Sequence, residues 1–538
     1  MSFKDFIKRI LTGAPAPTVK REIIVNAEAL ETRVAVLEDG RLEDFQVEHP
    51  SEERLVGSIF KGRIQNLEND LQAAFVDIGL RKNAFLHYWD MNPDDESRLD
   101  DEDEGPAASG NRNRKPRAKR FTTEEIATRF PPGAVVTVQV SKGPISTKGP
   151  RVTASLSIPG RYLGLMPGCT LRGVSCKIGD ADERKRLKSV IDRLPLPPDC
   201  GVIVRTAGSG ASKRSFVRDL RVLRAAYDDL KKAEAEKAAP CCIYEEPDLV
   251  MRVVRDWMSE DIDRIVVDNA EVYERLRAEA SKISRKARNI IQLYEGDAPI
   301  MDRYGVEKQF RDTFRRRVYM KSGAYLVIDE TEALIAIDVN TGRHKSKGNQ
   351  EDSILEVNLE AVEEVARQLR LRNIGGLVVI DLIDMKSRKN QQTVLRAMRT
   401  AIKRDKARTN ILPISDLGLM EMTRQRLEES LLSQMHQFCP CCRGFGKVRS
   451  PLQLSIDIQR QLRALCRRFR TEKNEIDLVV QLHPAVLNRI RTEDEELITA
   501  IQKEYAGKLS FKSDPLRQFD SFSISDTSGK ALYSVGEA

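Results

Sequence analysis

Two short stretches decide the fold of this chain, ALIAIDVNTG at residues 333–342 and GGLVVIDLIDM at residues 375–385. Each contains an apolar run, rich in isoleucine or valine, that leads into an aspartate, Asp338 in the first and Asp381 in the second. The residues between them place apolar side chains close to helical spacing, and the glycine pair that opens the second stretch is expected to end the helix. The order strand, helix, strand predicts a right-handed unit with two parallel strands.

The two aspartates predict a magnesium site. Neighbouring strands lie about 4.8 Å apart, so both carboxylates would emerge near the same carboxyl edge of the sheet, where open α/β sheets bind ligands. Two carboxylates so close repel each other unless a cation lies between them, and Mg²⁺ accepts one or two protein carboxylates while keeping several waters. Asn340 is expected to orient a water or a phosphate oxygen. The pattern favours metal-assisted phosphate chemistry at these three residues; the alternative is that both aspartates cap helices or fill loop hydrogen bonds.

The composition is that of a globular protein with several domains. Of the 538 residues, 41% are hydrophobic and 32% are charged, and no apolar run approaches the roughly 20 residues needed to span a bilayer. The N-terminal MSFKDFIKRIL has no signal-peptide core. It can form one short amphipathic helix, for which membrane contact is the less favoured alternative to a frayed end. The net charge of +8 suits an anionic partner, RNA or DNA, without choosing between them.

The cysteines predict a zinc site shared between two chains. Nine cysteines, unevenly spread, favour a reducing, cytoplasmic location over a disulfide framework. Cys439 and Cys442 have the C-x-x-C spacing of a zinc knuckle, but a closed structural site needs four ligands, and no second C-x-x-C occurs. His436 would add only a third ligand. We therefore predict that both cysteines from each of two chains close one zinc site, with Cys441 a spare thiol; a reduced surface knuckle without metal is the alternative.

The N-terminal half is predicted to be rich in strands. Residues 22–48 alternate apolar and polar side chains around an Asp-Gly turn, which predicts two or three strands. From residue 55, short strand patterns carry aromatic and basic residues. A segment at about 92–122, acidic first and basic second, predicts a disordered insertion in a loop of one β-domain.

Two patterns suggest RNA contacts, although the residues alone leave the alternatives open. Phe75 and Phe85 lie among basic residues, as the stacking aromatics of OB-folds do, yet an isolated phenylalanine in a small barrel is more often in the core. The strand-like GVIVRTAGSG runs into Arg205, Thr206 and a glycine-rich turn whose exposed amides suit a terminal phosphate. A glycine-rich turn after a strand more often only reverses the chain and binds no phosphate.

Four motifs resemble the bacterial ribonuclease E/G family: AIDVNTG, NLEAVEEVARQLRLRNIGGLVVIDLIDM, EMTRQR and the C-P-x-C knuckle followed by GxGKV. The similarity runs from about residue 20 to beyond residue 450. It implies a magnesium-dependent endoribonuclease that cleaves single-stranded AU-rich RNA, is stimulated by a 5′-monophosphate, and acts in rRNA and mRNA processing and decay. In that family the residues matching Asp338 and Asp381 hold the magnesium, and the one matching Asn340 assists.

The resemblance also implies the RNA contacts. Phenylalanines matching Phe75 and Phe85 contact RNA in the family, and Lys148 is expected to add a contact. Arg205 and Thr206 match the family's pocket for an RNA 5′-monophosphate.

Two further expectations concern that pocket and the assembly. Cys176 and Lys177 stand where the family has an arginine-containing stretch, and lysine is the less directional phosphate ligand, so the strength of 5′-end discrimination is left open. The family's zinc link joins two chains, so we expect a homodimer; pairing of dimers into a homotetramer is left open.

The implied fold class is multidomain α/β and α+β. An inactive RNase H-like domain is interrupted by an OB-fold RNA-binding module and a 5′-sensor, and a DNase I-like catalytic domain, a zinc link and a small α+β dimerisation domain follow. The implied boundaries are an N-terminal extension at 1–19, the RNase H-like domain at 20–54 plus 241–301, the OB-fold domain at 55–155, the 5′-sensor at 156–240, the catalytic domain at 302–436, the zinc link at 437–448 and the dimerisation domain at 449–538.

Two other functions are alternatives. A catalytically silent RNA-binding scaffold of the same fold is disfavoured by the intact Asp338, Asn340 and Asp381. A magnesium-dependent DNase is disfavoured by the OB-like RNA module.

Overall fold

The computed structural model describes residues 19–49, 54–92, 123–144, 149–175, 178, 180–258, 262–283, 285–343, 350–405, 407–426, 429–442, 444–472 and 476–535. The chain forms two compact units, Met1–Gln434 and Met435–Ala538. The predicted N-terminal helix lies outside the described residues, as does nearly all of the predicted insertion at about 92–122. Within the described part, no helix is both long and apolar enough to cross a membrane.

Three antiparallel strands open the first sheet, as the alternation in residues 22–48 predicts. They are β1 (Arg21–Ala27), β2 (Thr32–Glu38) and β3 (Arg41–Glu48). The turn between β2 and β3 is the predicted Asp-Gly pair. Asp39 and Gly40 have φ values of 49° and 77°, the left-handed values that a two-residue hairpin turn requires at both positions.

A five-stranded, OB-like barrel follows. Its strands and one helix are β4 (Ile59–Glu68), β5 (Ala73–Asp77), β6 (Ala84–His87), α1 (Thr123–Arg129), β7 (Val135–Lys142) and β8 (Arg151–Thr153). The barrel closes because β4 pairs with both β5 and β7. A 3₁₀ turn, Tyr88–Met91, continues from β6.

A four-stranded sheet with two helices comes next, in the strand order β11-β12-β10-β9. Its elements are β9 (Ile158–Pro159), β10 (Leu163–Pro167), β11 (Arg172–Val174), α2 (Ala181–Asp192), β12 (Cys200–Val204) and α3 (Lys213–Glu236). The long helix α3 packs against this sheet. Its apolar residues Phe216, Leu220 and Leu223 are buried in the same core as β10 and β12.

The chain then returns to the first sheet, whose strand order is β15-β14-β1-β2-β3. The elements of this part are β13 (Cys241–Tyr244), α4 (Leu249–Arg252), a π-helical turn (Val253–Trp257), β14 (Arg264–Val267), α5 (Ala270–Ile283), α6 (Arg285–Asn289), β15 (Ile291–Leu293), α7 (Ile300–Arg303) and α8 (Val306–Thr313). Strand β14 pairs in parallel with both β1 and β15. Strand β13 pairs with β4 of the barrel instead, so the barrel, the four-stranded sheet and β13 are inserted between β3 and β14.

A six-stranded mixed sheet contains the two stretches that opened the sequence analysis, in the order β16-β17-β18-β19-β21-β20. Its elements are β16 (Arg317–Tyr319), β17 (Tyr325–Glu330), β18 (Ile335–Asn340), α9 (Gln350–Leu371), β19 (Gly376–Asp381), α10 (Arg388–Ala401), β20 (Thr409–Ile411), β21 (Leu419–Arg424) and α11 (Leu431–Met435). The prediction of strand, helix and parallel strand is confirmed, because β18 and β19 are parallel neighbours joined through α9.

The prediction that the glycine pair ends this helix is wrong. Helix α9 ends at Leu371, and Asn373 takes the left-handed φ of 50° that terminates it. Asparagine tolerates this conformation better than most residues, so the helix stops before the glycines. Gly375 serves close packing instead, since a Cβ there would lie 2.8 Å from the Cα of Arg426.

The second unit packs three helices against a four-stranded sheet of order β23-β22-β24-β25. Its elements are α12 (Pro451–Thr471), β22 (Leu478–Leu482), α13 (Pro484–Thr492), α14 (Glu495–Lys503), β23 (Leu509–Ser513), β24 (Phe522–Asp526) and β25 (Ala531–Val535). Helix α12 has basic residues in its last turn, Arg468 and Arg470. It begins with a Ser450 side chain that accepts from the Gln453 amide at 3.2 Å and with Pro451 at its first turn.

Candidate active site

The two predicted aspartates lie side by side on an open face of the mixed sheet. Asp338 of β18 and Asp381 of β19 are register partners across the parallel pair, and both are exposed. The residues that alternate with them, Ile337 and Ile380 among them, are buried in the core that contains α9. Because successive side chains of a strand point to opposite faces, both carboxylates project from the face that α9 does not cover.

Asn340 lies on the same face and holds Asp338. Its side-chain amide donates a hydrogen bond from Nδ2 to Asp338 Oδ2 at 2.8 Å. This contact leaves the other carboxylate oxygen of Asp338 available and restricts the rotation of the group. The three predicted catalytic residues are therefore brought together in the folded chain.

The donor set fits a magnesium ion. Within the described part of the chain, no group of three or more His, Cys, Asp or Glu side chains is arranged to hold a metal. A cation at this face would therefore have the two carboxylates as protein ligands and take its other ligands from water or substrate. Mg²⁺ commonly binds in this way, through one or two carboxylates with several retained waters.

A third carboxylate on this face was missed by the sequence reasoning. Glu421 of β21 is the register partner of Val379, which lies two residues before Asp381, so its side chain points to the same side of the sheet. Glu421 is half-buried, whereas its neighbours Met420 and Met422 are buried in the core. This alternation is visible in the sequence of β21 and was the available signal.

Asn358 was also missed, and it positions the loop that follows Asp381. This residue of α9 is fully buried. Its Nδ2 donates to the Ile383 carbonyl at 2.8 Å, and its Oδ1 accepts from the Ile383 amide at 3.1 Å. An asparagine in an otherwise apolar helix face was the signal, because a buried amide needs a partner.

A buried ion pair anchors the far end of β21. Arg424 donates to Asp405 through Nε at 2.7 Å and through Nη2 at 3.1 Å, and a third donor reaches the Ile374 carbonyl at 2.7 Å. The Arg424 and Asp405 side chains are only 6% and 2% exposed. Buried charges are tolerated when they form a bidentate pair whose donors all have partners. We therefore assign a structural role to Arg424, the first arginine of EMTRQR.

The sequence of this chain is similar to those of known proteins. The sequence model of the Ribonuclease E/G family matches residues 157–427. Ribonuclease G of Salmonella typhimurium is 34% identical over 503 residues, which are 94% of this chain and 99% of that protein. Ribonuclease E of Haemophilus influenzae is 36% identical over 491 residues, which are 90% of this chain and 50% of that protein.

The chain belongs to the ribonuclease E/G family. It is an endoribonuclease of that family, and RNA is the substrate that the family implies.

The barrel of this ribonuclease E/G family member carries an aromatic strip. Phe75 and Phe85 are half-buried and lie outside the barrel core, with ring centroids 6.0 Å apart. The strip continues through His87, 6.3 Å from Phe85, to Trp89, 4.6 Å from His87. Trp89 is 52% exposed. The sequence reasoning named only the two phenylalanines, although the aromatic side chains at alternate positions 85, 87 and 89 were visible in the sequence. Lys148 lies outside the described residues.

Arg205 and Thr206 lie where β12 ends. Thr206 is exposed, and it opens a 3₁₀ turn for which Arg205 is the N-cap residue. Arg205 Nη1 lies 2.8 Å from Asp256 Oδ1 in the π-helical turn, and the same group donates to the Gly160 carbonyl. The guanidinium is therefore held in place by a neighbouring carboxylate. Cys176 and Lys177 lie outside the described residues.

The prediction that the glycine-rich turn exposes its amides is wrong at four positions. The amides of Gly208, Ser209 and Ala211 donate to carbonyls within the turn, at 2.9–3.2 Å. The Gly210 amide donates to Glu183 Oε1 at 2.8 Å. The hydrogen bond from Arg186, together with this amide, lowers the pKa of Glu183 to about 2. A phosphate here would therefore be bound mainly by the two side chains.

Cys439 and Cys442 lie at the start of the second unit, in a turn suited to a thiolate. Cys439 is exposed and Cys442 is half-buried. Hydrogen bonds from the Cys442 and Cys441 amides lower the pKa of the Cys439 thiol, and a lower pKa favours the deprotonated form that binds zinc. In the described part of one chain this pair has no further ligand arranged around it, since no group of three metal-binding side chains occurs there. The two thiols thus fit one half of a tetrahedral zinc site.

Proposed function

We propose that this protein is a magnesium-dependent endoribonuclease that cleaves single-stranded AU-rich RNA, with stimulation by a 5′-monophosphate, in rRNA and mRNA processing and decay. The observation that carries the proposal is that Asp338 and Asp381 are register partners on the open face of the mixed sheet, where Asn340 donates a hydrogen bond to Asp338. The domain boundaries predicted from the sequence, with the RNase H-like, 5′-sensor and DNase I-like assignments, belong to the same proposal.

The active-site residues would act as follows. Asp338 and Asp381 hold the cation, and Asn340 keeps the Asp338 carboxylate oriented toward it. When bound, Mg²⁺ supplies Lewis acidity that polarises the phosphodiester and lowers the pKa of a bound water. Asn358 fixes the backbone after Asp381, so that the spacing of the two carboxylates is preserved when RNA binds.

The RNA-binding residues are assigned to two other parts of the same unit. Phe75 and Phe85, extended by His87 and Trp89, offer aromatic faces on which unpaired bases stack. Arg205 and Thr206 would bind a 5′-monophosphate, with Asp256 keeping the guanidinium in position until the phosphate arrives. Lys148 is retained as a proposed RNA contact from the resemblance alone.

The proposed assembly is a homodimer closed by zinc. The two thiols of Cys439 and Cys442 supply half of a tetrahedral shell, and a second copy of the chain supplies the same pair. Two such dimers can pair into a homotetramer, and the molecular mass of the protein in solution distinguishes the dimer from the tetramer.

The central test is cleavage of a short AU-rich single-stranded RNA in the presence of magnesium. We expect the parent protein to cut this RNA internally. Cutting should stop with EDTA and should fall below detection in Asp338→Asn and Asp381→Asn, because each substitution removes an anionic ligand. Asp329→Asn is the matched control: Asp329 lies on the adjacent strand β17 and pairs with the exposed Arg316, so its loss should leave cutting unchanged.

The same assay tests the competing functions and the 5′-end pocket. If the parent protein binds the RNA and never cuts it, the catalytic function is overturned in favour of the RNA-binding scaffold. If it cuts DNA of the same sequence at least as fast as RNA, the result favours the magnesium-dependent DNase. We expect faster cutting of RNA with a 5′-monophosphate than with a 5′-hydroxyl. In Arg205→Ala the two rates should become equal while the rate on 5′-hydroxyl RNA stays at the parent value.

A further inference from the structure

A pair of tyrosines lies in the same row of the sheet as Asn340. Tyr319 of β16 is the register partner of Tyr325 of β17, and Tyr325 is the register partner of Asn340 of β18. Directly opposed residues of antiparallel strands point to the same face. Both rings therefore lie on the open face that carries Asp338 and Asp381, one and two strands away from the catalytic strand.

Packing does not account for this pair. Tyr319 is 70% exposed, and neither ring belongs to the core on the other face of the sheet. The ring centroids are 5.8 Å apart with an interplanar angle of 51°, so the two rings form one continuous aromatic surface. Large exposed aromatic groups beside a catalytic centre commonly serve binding.

Two further contacts hold this surface in position. The guanidinium of Arg317 lies 5.5 Å from the centroid of the Tyr325 ring, within cation–π distance. On the other side, the turn that leaves Asn340 passes close to the ring: a Cβ at Gly342 would lie 3.1 Å from Tyr325 Cδ1. Tyr325 is thus confined between a basic group and the catalytic strand.

The geometry points to a nucleobase subsite, in which Tyr319 and Tyr325 stack one unpaired base of the substrate beside the phosphodiester at Asp338 and Asp381. This inference rests on the proposed function. Unpaired bases stack on aromatic side chains regardless of their identity, and an adjacent arginine adds attraction to the base and to its phosphate. Strands are about 4.8 Å apart, so Tyr325 and Tyr319 lie within reach of the nucleotide that adjoins the cut. The tyrosines are positioning residues, since they hold a base and take no part in the bond cleavage.

The test uses abasic RNA. An AU-rich single-stranded RNA with one cleavage site is made with an abasic ribonucleotide at each position near the cut in turn, and kcat/KM is measured with the full chain. We expect one abasic position to lower kcat/KM of the parent by about 5- to 100-fold. Tyr319→Ala should show a loss of similar size on intact RNA and no additional loss at that abasic position.

The control variants separate the ring from other effects. Tyr319→Phe keeps the aromatic face and should retain the parent kcat/KM and the parent abasic penalty. Leu377→Ala alters another exposed apolar residue of the same face, at the opposite end of β19, and should behave as the parent. Abasic penalties of equal size in the parent and in Tyr319→Ala would overturn the subsite, as would a loss in Tyr319→Phe equal to that in Tyr319→Ala.

A binding measurement keeps this inference distinguishable from the proposed function. RNA with 2-aminopurine at successive positions is bound in EDTA, and we expect quenching at one position that is lost in Tyr319→Ala. If the parent never cuts RNA, the proposed function fails, whereas this quenching still supports the subsite and its absence overturns it. A changed oligomeric mass of Tyr319→Ala without any change in quenching would assign the tyrosines to a contact between copies of the chain instead.

Discussion

At the scale of single residues, the proposed function depends on the orientation of Asp338. The carboxylate is exposed, so without a partner it would sample several rotamers in water. Asn340 removes this freedom through one hydrogen bond of 2.8 Å. Removal of a side chain that orients a metal ligand typically lowers the metal affinity or the activity.

We therefore expect Asn340→Ala to lower kcat/KM by about 10- to 100-fold while leaving RNA affinity unchanged. Cleavage rates at several magnesium concentrations and RNA binding in EDTA measure the two effects separately. Asn410→Ala serves as the control, because Asn410 lies on the edge strand β20 at the other side of the sheet. Parent-like cleavage by Asn340→Ala would show that Asp338 needs no orienting partner.

At the scale of elements, helix α9 joins the six-stranded mixed sheet to the first sheet. Its apolar residues cover the sheet face opposite the aspartates. Its polar residues reach β3, where Arg367 donates to the Leu42 carbonyl at 2.9 Å and Arg370 donates to Glu43 at 2.8 Å. A substitution in α9 can therefore alter either the site or the attachment of the two sheets.

Asn358→Leu tests the first of these roles. The leucine has the same branched skeleton of heavy atoms but leaves the amide and carbonyl of Ile383 without the partner that Asn358 provides, so we expect a loss of about 1–3 kcal/mol in the free energy of unfolding. Cleavage should also fall, because the loop after Asp381 loses its anchor. Urea unfolding and cleavage rates on the same samples measure both, with Glu356→Gln at an exposed position of α9 as the control.

A parent-like cleavage rate in a folded Asn358→Leu protein would contradict the positioning role. A stability loss without any change in cleavage would restrict Asn358 to a packing role.

Glu364 tests the second role of α9 through its pH dependence. Burial raises the pKa of this carboxyl group, but the charges of Arg367 and Arg41 outweigh burial and lower it below the usual value of 4.5. A carboxyl group whose pKa is lower in the folded state stabilises the fold above its unfolded pKa, and this contribution is lost as the pH falls through the folded value. The contribution of Glu364 should therefore be complete at pH 7 and should disappear below about pH 4.

We expect Glu364→Gln to lower the free energy of unfolding at pH 7 by about 2 kcal/mol, less than for a fully buried pair because Arg41 is 41% exposed. The difference from the parent should shrink as the pH is lowered toward 3. Urea unfolding at several pH values measures it, again with Glu356→Gln for comparison. A difference that does not depend on pH would assign the effect of Glu364 to packing.

At the scale of the whole molecule, the cysteine knuckle is an incomplete site. The second unit begins at Met435, only a few residues before Cys439, and the described part of one chain offers no further set of ligands around this pair. A zinc ion bound here would therefore depend on a second copy of the chain.

We expect the purified protein to contain one zinc per two chains and to have the mass of a dimer or of a pair of dimers. Cys439→Ser and Cys442→Ser should lose both the zinc and the dimer, whereas Cys441→Ser should keep both, because a knuckle needs only the outer two thiols. Metal analysis and light scattering provide the two readouts. One zinc per chain, or a dimer that persists without zinc, would contradict a shared site.

Much of the candidate site was predictable from local sequence. Two short apolar runs, each leading into an aspartate, with a helix of clear periodicity between them, predicted β18, α9 and β19 and placed Asp338 beside Asp381. Asn358 and Glu421 were not predicted, because their roles depend on which residues of other elements lie opposite them. The exposed amides expected after Arg205 were also wrong, since local hydrogen bonds of the turn and a distant carboxylate, Glu183, use those donors.

The sequence by itself determined the secondary structure near the site and placed Asp338 and Asp381, the proposed metal-binding residues, at the same edge of the sheet, because strand alternation and helical periodicity are properties of consecutive residues. Only the tertiary structure decided which face of the sheet stays open and which residues share a row with Asn340. Tyr319 and Tyr325 belong to two short strands without a distinctive pattern, and Arg205 meets Asp256 across a long separation in the chain. Register and long-range contacts arise from the packing of many elements at once, so no local stretch of sequence contains them.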